Sequence, residues 1–125
     1  TNSSSIDADT TGYTTSNEVS GTAYSAGGAA LASVTIGLGD NSSSVPTAYV
    51  DAADTTWSTS TISSARGALI YNSTLSSAGT GSTTNHAADP SVAVINFGGD
   101  KSSSAGDFTI QWPTNDANSA LIRIA

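Results

Sequence analysis

The chain contains no cysteine and no methionine among its 125 residues. Disulfide bonds, thiolate chemistry and cysteine-ligated zinc sites are therefore excluded. Long apolar runs are missing as well, because no stretch approaches the ~20 residues that a helix needs to span a bilayer. We therefore expect no membrane partner.

Basic residues are scarce. Only Arg66, Lys101 and Arg123 oppose ten acidic side chains, and the formal net charge is −7. Binding to nucleic acid depends on neutralising phosphates, so we expect no nucleic-acid partner. The same scarcity argues against binding to anionic membranes. The negative charge itself is explained by solubility.

Large aromatic side chains are few, with Phe 2, Trp 2 and Tyr 4, and alanine supplies much of the 37% hydrophobic fraction. Burial contributes about 25 cal/mol per Å² of apolar surface, so this composition predicts a thin core and marginal stability. Attachment to a larger body, or to copies of the same chain, would supply the missing burial.

The chain does contain short stretches that alternate apolar and polar residues, separated by turns rich in Ser, Thr, Gly, Asn and Asp. Such alternation is typical of strands, whose successive side chains point to opposite faces. In Leu31–Leu38, for example, Val34, Ile36 and Leu38 share one face. The clearest stretches are Ala65–Asn72, Ser91–Asp100, Asp107–Pro113 and Ala120–Ala125, and the weaker ones are Glu18–Ala26, Leu31–Leu38, Val45–Val50 and Trp57–Ile62.

About seven or eight short strands at this spacing predict an all-β fold, an antiparallel β-sandwich of jelly-roll or immunoglobulin-like type. No helical periodicity lasts for the length of a helix. We assign residues 18–125 to the sandwich domain. Residues 1–17 are predicted to form a polar extended N-terminal arm or a loosely held linker. Residues 73–90 form a long connection of the kind usually found at the surface.

Residues 7–18 approach the spacing of an EF-hand calcium loop. Asp7, Asp9 and Glu18 occupy positions one, three and twelve of that spacing. Thr11 stands at position five, where Asp or Asn is usual, and neither flank predicts the helix that the motif needs. An acidic linker is the favoured interpretation, and we predict no metal site.

Two pairs of aspartates lie close together in the sequence, Asp51 with Asp54 and Asp100 with Asp107. Paired carboxylates can ligate a metal or exchange protons when they share a cleft. All four lie in turn clusters, where aspartate commonly hydrogen-bonds its own backbone, and this role is the favoured one.

The only histidine, His86, lies near Asp89 in a chain rich in serine, so a Ser–His–Asp triad is formally available. No nucleophile-elbow motif accompanies it, and its loop setting favours a solvated side chain. We therefore expect no catalytic residues and no cofactor.

Several other features have two interpretations. Asn2, Asn41 and Asn72 begin glycosylation sequons, which chance explains in so Ser- and Thr-rich a chain. A cluster of aromatics could stack on a sugar but more often fills a sandwich core; its members would be Trp57, Tyr71 and Trp112. Arg66 could pair with a turn aspartate or anchor a partner.

Four segments together resemble small structural proteins of tailed bacteriophages, including those that infect cyanobacteria. The segments are EVSGTAYSAGGAAL (Glu18–Leu31), TWSTSTISSARGALIYN (Thr56–Asn72), AVINFGGDKSSSAGDFTIQWP (Ala93–Pro113) and ALIRIA (Ala120–Ala125). The likeness spans most of residues 18–125.

The resemblance implies a non-enzymatic virion component, with capsid decoration or cement as the favoured role. The implied partners are the major capsid protein and other copies of the chain, and the implied location is the capsid surface. The alternative is a phage tail, fibre or host-surface adhesion module whose loops bind glycans.

Overall fold

The computed structural model describes residues 6–7, 9–79 and 86–125. Within these residues the chain forms eight β-strands and no helix, and consequently no helix long and apolar enough to cross a membrane. The strands are β1 (Gly21–Thr22), β2 (Thr35–Asp40), β3 (Pro46–Asp51), β4 (Thr55–Ile62), β5 (Ala65–Tyr71), β6 (Ser91–Lys101), β7 (Gly106–Ile110) and β8 (Ile122–Ile124).

The described strands form three small sheets, with the orders β1–β4–β7, β2–β3–β8 and β5–β6. The pairings of β1 with β4, β2 with β3, β3 with β8 and β5 with β6 are antiparallel. The prediction of an all-β, antiparallel fold is confirmed, and the sheets are consistent with a β-sandwich-like class.

The chain divides into two compact units, each assembled from segments distant in sequence. Unit 1 comprises Thr1–Gly28 and Thr59–Gly106, and unit 2 comprises Ala29–Ser58 and Asp107–Ala125. The boundary predicted after Asn17 stays a prediction.

The β5–β6 ladder is the main element of unit 1. Alternating apolar residues pair across it, as in Ala68 with Ile95 and Leu69 with Val94. Gly67 lies against the carbonyl group of Ile95, where a Cβ atom would overlap backbone, and the register shifts at this point. The ladder therefore depends on a glycine where the two backbones approach most closely.

The buried apolar centre of unit 1 is small. Ile62 and Ala65 are its buried hydrophobic residues in the part of the unit that the structure describes. Hydroxyl groups border them: Ser103 Oγ lies 2.8 Å from Ser60 Oγ and accepts a hydrogen bond from the Ile62 amide. Unit 1 therefore buries little apolar surface, as the composition predicted. Its buried hydroxyl groups form hydrogen bonds.

The part of the predicted N-terminal arm that the structure describes is anchored rather than loosely held; residues 1–5 and 8 lie outside the described part. The amide of Tyr13 donates to the Asp89 carbonyl at 2.9 Å, and the amide of Ser91 donates to the Thr11 carbonyl at 3.1 Å. The ring of Tyr13 stacks on that of Tyr71, with centroids 4.6 Å apart. A lone aromatic in a polar segment supplies this anchor.

Strand boundaries differ from the predictions where the backbone turns. The stretch predicted from Glu18 to Ala26 forms only the two-residue strand β1, because Ala23 adopts a φ of 60° and ends it. The stretch predicted to begin at Leu31 begins as β2 at Thr35, after Ser33 takes a φ of 51°. Positive φ values at non-glycine residues leave no clear signal in the sequence.

Candidate functional site

One face of the β2–β3–β8 sheet in unit 2, which we call the outer face, is apolar and open to solvent. Directly paired residues on antiparallel strands project to the same side of a sheet. The register therefore gives two apolar rows across the three strands, Ile36–Val50–Ile122 and Leu38–Ala48–Ile124. At the end of β2 the pair Asp40–Pro46 lies on the same face, so a carboxylate borders the apolar rows.

The outer face is exposed to an unusual degree for such residues. Ile36, Leu38 and Ile124 expose 83%, 77% and 74% of their surface, and Ala48 between two of them is also exposed. Scattered apolar residues on a surface are ordinary, but a contiguous apolar patch marks an interaction site.

The opposite face, the inner face, carries the polar residues and glycines. Thr47 and Asp51 are fully buried there, and Thr47 donates a hydrogen bond to the Val45 carbonyl at 3.0 Å. The ring of Tyr49 lies over Gly37, its cross-strand partner, so closely that a Cβ at position 37 would overlap it. The usual arrangement, apolar side inward and polar side outward, is therefore reversed in this sheet.

The loop between β7 and β8 contacts the inner face. The Asn115 side-chain amide donates to Thr35 Oγ1 at 2.8 Å, and the Ala117 methyl lies 3.7 Å from the place a Cβ would take at Gly39. The Ser42 amide donates to Asn118 Oδ1 at 2.6 Å. The loop thus holds unit 2 together from the polar side and leaves the outer face uncovered.

The outer face is suited to binding protein and unsuited to chemistry. The six side chains of its two apolar rows have no titratable group, nucleophile or metal ligand, and Asp40 is the one carboxylate on the three described strands of this face. No group of three or more metal-ligating side chains occurs among the residues that the structure describes. Burying such a face against a matching apolar surface would be favourable at about 25 cal/mol per Å².

No known protein family, curated protein or solved structure matches the chain.

The residues of the EF-hand-like spacing form hydrogen bonds of a different kind. Asp7 Oδ1 accepts the Asp9 amide, as in an Asx-turn. Glu18 Oε2 accepts the hydroxyl of Tyr13, and Oε1 accepts the Tyr24 hydroxyl, both at 2.7 Å. Both carboxylate oxygens of Glu18 are thus occupied by protein donors, and no helix flanks the segment within residues 6–7 and 9–79.

The tyrosine cluster, which comprises Tyr13, Glu18, Tyr24 and Tyr71, is a hydrogen-bonded group with a structural role. Gly27 connects its members, because its amide donates to Glu18 Oε1 at 2.8 Å and its carbonyl accepts the Tyr71 hydroxyl at 2.9 Å. Burial, together with the hydrogen bond to Glu18 and its negative charge, raises the pKa of Tyr13 to about 12. The same causes raise the pKa of Tyr24, while burial and the charges of Asp89 and Glu18 raise the pKa of Tyr71.

The paired aspartates bind backbone amides or form an ion pair, but the prediction that all four lie in turns is wrong for three of them: Asp51 lies in β3, Asp100 in β6 and Asp107 in β7. Asp51 Oδ1 accepts the Ala52 amide at 2.8 Å, and Asp54 Oδ1 accepts the Trp112 amide at 2.9 Å. Asp100 lies 3.4 Å from the guanidinium of Arg66, with both side chains nearly half exposed. Of the two interpretations of Arg66, the structure supports the ion pair.

Among residues 6–7, 9–79 and 86–125, His86 forms no hydrogen bond to a serine or to Asp89. Its Nδ1 donates to the Ala87 carbonyl at 2.8 Å, and its backbone pairs with Gly79 in an isolated bridge. The side chain is half-buried at the border of an open depression that Thr10 and Pro90 also line. The expectation of a fully solvated histidine is therefore only partly met.

The sequon asparagines that the structure describes have local roles. Asn41 Oδ1 accepts the amides of Ser43 and Val45, and Asn72 Oδ1 accepts that of Thr74, so both shape turns; Asn2 lies outside the described residues.

The three aromatics considered as a sugar platform belong to different units. Tyr71 stacks on Tyr13 in unit 1. In unit 2, Trp57 meets Phe108 edge to face at 6.1 Å, and Trp112 Nε1 donates to Thr55 Oγ1 at 3.2 Å. Each is partly buried, and each is engaged in packing or a hydrogen bond within its own unit.

The outer face is the feature that sequence reasoning missed. Alternation correctly placed Ile36 and Leu38 on one side of a strand but led us to expect that side to be buried. The sequence contained one signal of this reversal. Gly37 and Gly39 alternate with Ile36 and Leu38, so the other side of this strand has no polar side chains at these positions that could face solvent.

Proposed function

We propose that this chain is a non-enzymatic structural protein of a phage virion that decorates and stabilises the capsid by binding across capsid subunits. The observation that carries the proposal is the outer face, an apolar surface that the single chain leaves open. A protein whose apolar residues lie outward gains stability and solubility when neighbouring molecules cover them.

The physical task of a cement protein fits such a module. It has to add buried contact area between shell subunits, and each copy needs only a modest interface because many copies act together. The thin core supports this view, since fully buried hydrophobic residues are limited to Ile62, Ala65, Ala117 and Ala120 among those described.

The phage-like segments coincide with the framework of the fold. Thr56–Asn72 spans most of β4 and all of β5, Ala93–Pro113 spans most of β6 and all of β7, and Ala120–Ala125 contains β8. The resemblance is therefore carried by structural strands, which supports a structural role.

The test is binding of the purified, tagged chain to phage heads stripped of accessory proteins. We expect saturable binding at a fixed ratio to the shell subunit. A double variant, Ile36→Asp with Leu38→Asp, should bind fewer copies, because it introduces two charges into the outer face. Val92→Asp is the matched control, since Val92 is an exposed apolar residue (53%) that belongs to unit 1.

The result separates the proposal from its alternatives. Binding to tails alone would favour an adhesion module, and absence of binding to heads would overturn the proposal. Equal loss of binding in Val92→Asp and in the double variant would remove the outer face as its basis.

A further inference from the structure

We infer that unit 1 carries a binding site for an extended peptide in which glycine precedes tyrosine, and that the N-terminal arm of a second copy of this chain can fill it. The peptide is residues 10–13, here called the arm strand, which occupies the site of its own chain in the structure. The arm-binding site comprises Glu18, Tyr71 and residues 88–91. The inference deepens the proposed function and rests on it for its setting, a capsid surface on which copies lie side by side.

Backbone hydrogen bonds hold the arm strand in the site. The Tyr13 amide donates to the Asp89 carbonyl at 2.9 Å, and the Ser91 amide donates to the Thr11 carbonyl at 3.1 Å. The Ser91 hydroxyl also donates to the Thr10 carbonyl. This arrangement is β-strand addition, in which an extended peptide binds beside a strand through its main chain.

The centre of the arm strand has to be glycine. Gly12 pairs with Pro90 in an antiparallel bridge, and a Cβ atom at position 12 would overlap the carbonyl oxygen of Ala88. A larger residue could enter only if backbone atoms of the site moved. The site therefore selects glycine at this position by shape.

The site also holds a preformed slot for the tyrosine. Glu18 Oε2 accepts the Tyr13 hydroxyl at 2.7 Å, while Glu18 Oε1 accepts the Tyr24 hydroxyl at 2.7 Å and the Gly27 amide at 2.8 Å. Tyr71, on which the ring of Tyr13 stacks, donates its own hydroxyl to the Gly27 carbonyl at 2.9 Å. Glu18 and Tyr71 are thus positioned by bonds that do not involve Tyr13, so the slot is organised for an incoming tyrosine whichever chain supplies it.

The connection between the arm strand and the rest of unit 1 permits exchange. Residues 14–17 are all exposed, and the Glu18 amide donates to the Thr15 carbonyl at 3.3 Å across the turn that they form. If this turn opens, the five residue steps from Tyr13 to Glu18 span at most about 17 Å. An arm strand can therefore reach the site of an adjacent copy, and a two-fold axis would let both copies exchange arms.

Local concentration determines which arm strand fills a site. The same hydrogen bonds and the same ring contact form in both cases, because the arm strand and the site belong to one sequence. In dilute solution the chain's own arm strand is favoured because its binding is intramolecular, whereas arms of neighbours on a shell compete at high effective concentration. We therefore expect exchange to be rare in dilute solution and to link copies that lie side by side.

Disulfide trapping measures the exchange, because the chain has no native cysteine. Thr11 lies opposite Ser91 in the register set by the bridge between Gly12 and Pro90. Opposed residues of an antiparallel pair lie about 4.5–5.5 Å apart, which is within reach of a disulfide. A chain with both Thr11→Cys and Ser91→Cys should therefore form an intramolecular disulfide in dilute solution. Failure to form it would contradict the contact on which the inference depends.

The exchange experiment mixes two single-cysteine chains at millimolar concentration in a glutathione redox buffer. High salt screens the repulsion between chains of formal charge −7. The donor carries Thr11→Cys. The size-tagged acceptor carries Ser91→Cys and Gly12→Val, which expels its own arm strand from its site.

The matched control moves Gly12→Val from the acceptor to the donor, so both mixtures contain the same thiols and the same substitutions. We expect at least about tenfold more disulfide-linked heterodimer in the first mixture, because only there does an intact arm strand meet an empty site. A second substitution, Tyr13→Ser, removes the ring that stacks on Tyr71 and should give the same asymmetry when it replaces Gly12→Val. Circular dichroism checks that each chain retains its strands.

Equal yields of heterodimer in the two mixtures would overturn the inference, because random collisions of thiols do not distinguish donor from acceptor. An asymmetric yield from a protein that does not bind stripped heads would support the exchange and contradict the proposed function. Equal yields from a protein that saturates stripped heads would contradict the exchange and support the proposed function.

Discussion

The reversed polarity of the β2–β3–β8 sheet predicts that identical substitutions at two isoleucines will have very different costs. Ile36 on β2 is 83% exposed, whereas Ile62 on β4 is 1% exposed. Isoleucine-to-alanine removes the same atoms at both positions. The difference between Ile36→Ala and Ile62→Ala therefore reports burial within the single chain.

The magnitudes follow from the exposed fractions. Full burial of an isoleucine is worth about 1.5–3 kcal/mol, so the small buried part of Ile36 contributes roughly 0.5 kcal/mol. Truncating Ile62 removes a buried side chain and leaves a cavity, which costs about 2–5 kcal/mol. With a urea dependence near 1–3 kcal/mol per molar for a small protein, Ile62→Ala should lower the midpoint by on the order of 1 M. Ile36→Ala should leave it nearly unchanged.

The assay is urea unfolding at low micromolar protein. Far-UV circular dichroism follows all strands, and tryptophan fluorescence follows unit 2, because Trp57 and Trp112 both belong to it. If Ile36→Ala proves as destabilising as Ile62→Ala under these conditions, the outer face is covered within the single chain. The inferences drawn from its exposure would then fail.

Two further predictions concern packing and pH. Gly37→Ala should destabilise unit 2 by about 1–3 kcal/mol, because the new methyl would overlap the ring of Tyr49. The control is Gly99→Ala, which should cost nothing by this mechanism because position 99 faces open space. Equal urea midpoints for the two variants would contradict the close contact between Gly37 and Tyr49. The pKa of Tyr13 rises from 10.0 to about 12 on folding, so its contribution to stability is fully present below pH 10 and is lost as pH rises toward 12. Absorbance titration at 295 nm should show one tyrosine fewer ionising around pH 12 in Tyr13→Phe than in the wild type, and Tyr13 should ionise at lower pH in Glu18→Gln. Ionisation of Tyr13 near pH 10 in the wild type would refute the contact.

The strands were predictable because their signal is local. Alternation at Ser91–Asp100 predicted β6, which runs from Ser91 to Lys101, and the stretch from Ala65 to Asn72 predicted β5, which ends one residue earlier. Strands of this length with β-branched and aliphatic residues at every second position leave few alternatives. The period of the pattern identifies which side chains share a face.

The functional surface was less predictable, because alternation does not say which face turns inward. At β2 and β3 the side chains of Thr47, Tyr49 and Asp51 were available to be the solvated face, yet Thr47 and Asp51 are buried. What decides the matter is the loop after β7, which brings Asn115 and Ala117 to the polar side. That contact joins residues about eighty positions apart in sequence, and no short-range pattern encodes it.

The negative charge takes on a second role beside this apolar face. A chain that exposes Ile36, Leu38 and Ile124 would be prone to indiscriminate association if it were neutral. Ten acidic against three basic residues keep dilute copies apart, while the two apolar rows of the outer face can contact a neighbouring surface at short range. Repulsion between whole molecules falls off over about 10 Å at moderate salt, whereas apolar contact acts only when the faces touch. The balance therefore favours assembly where a surface concentrates the protein and disfavours it in dilute solution.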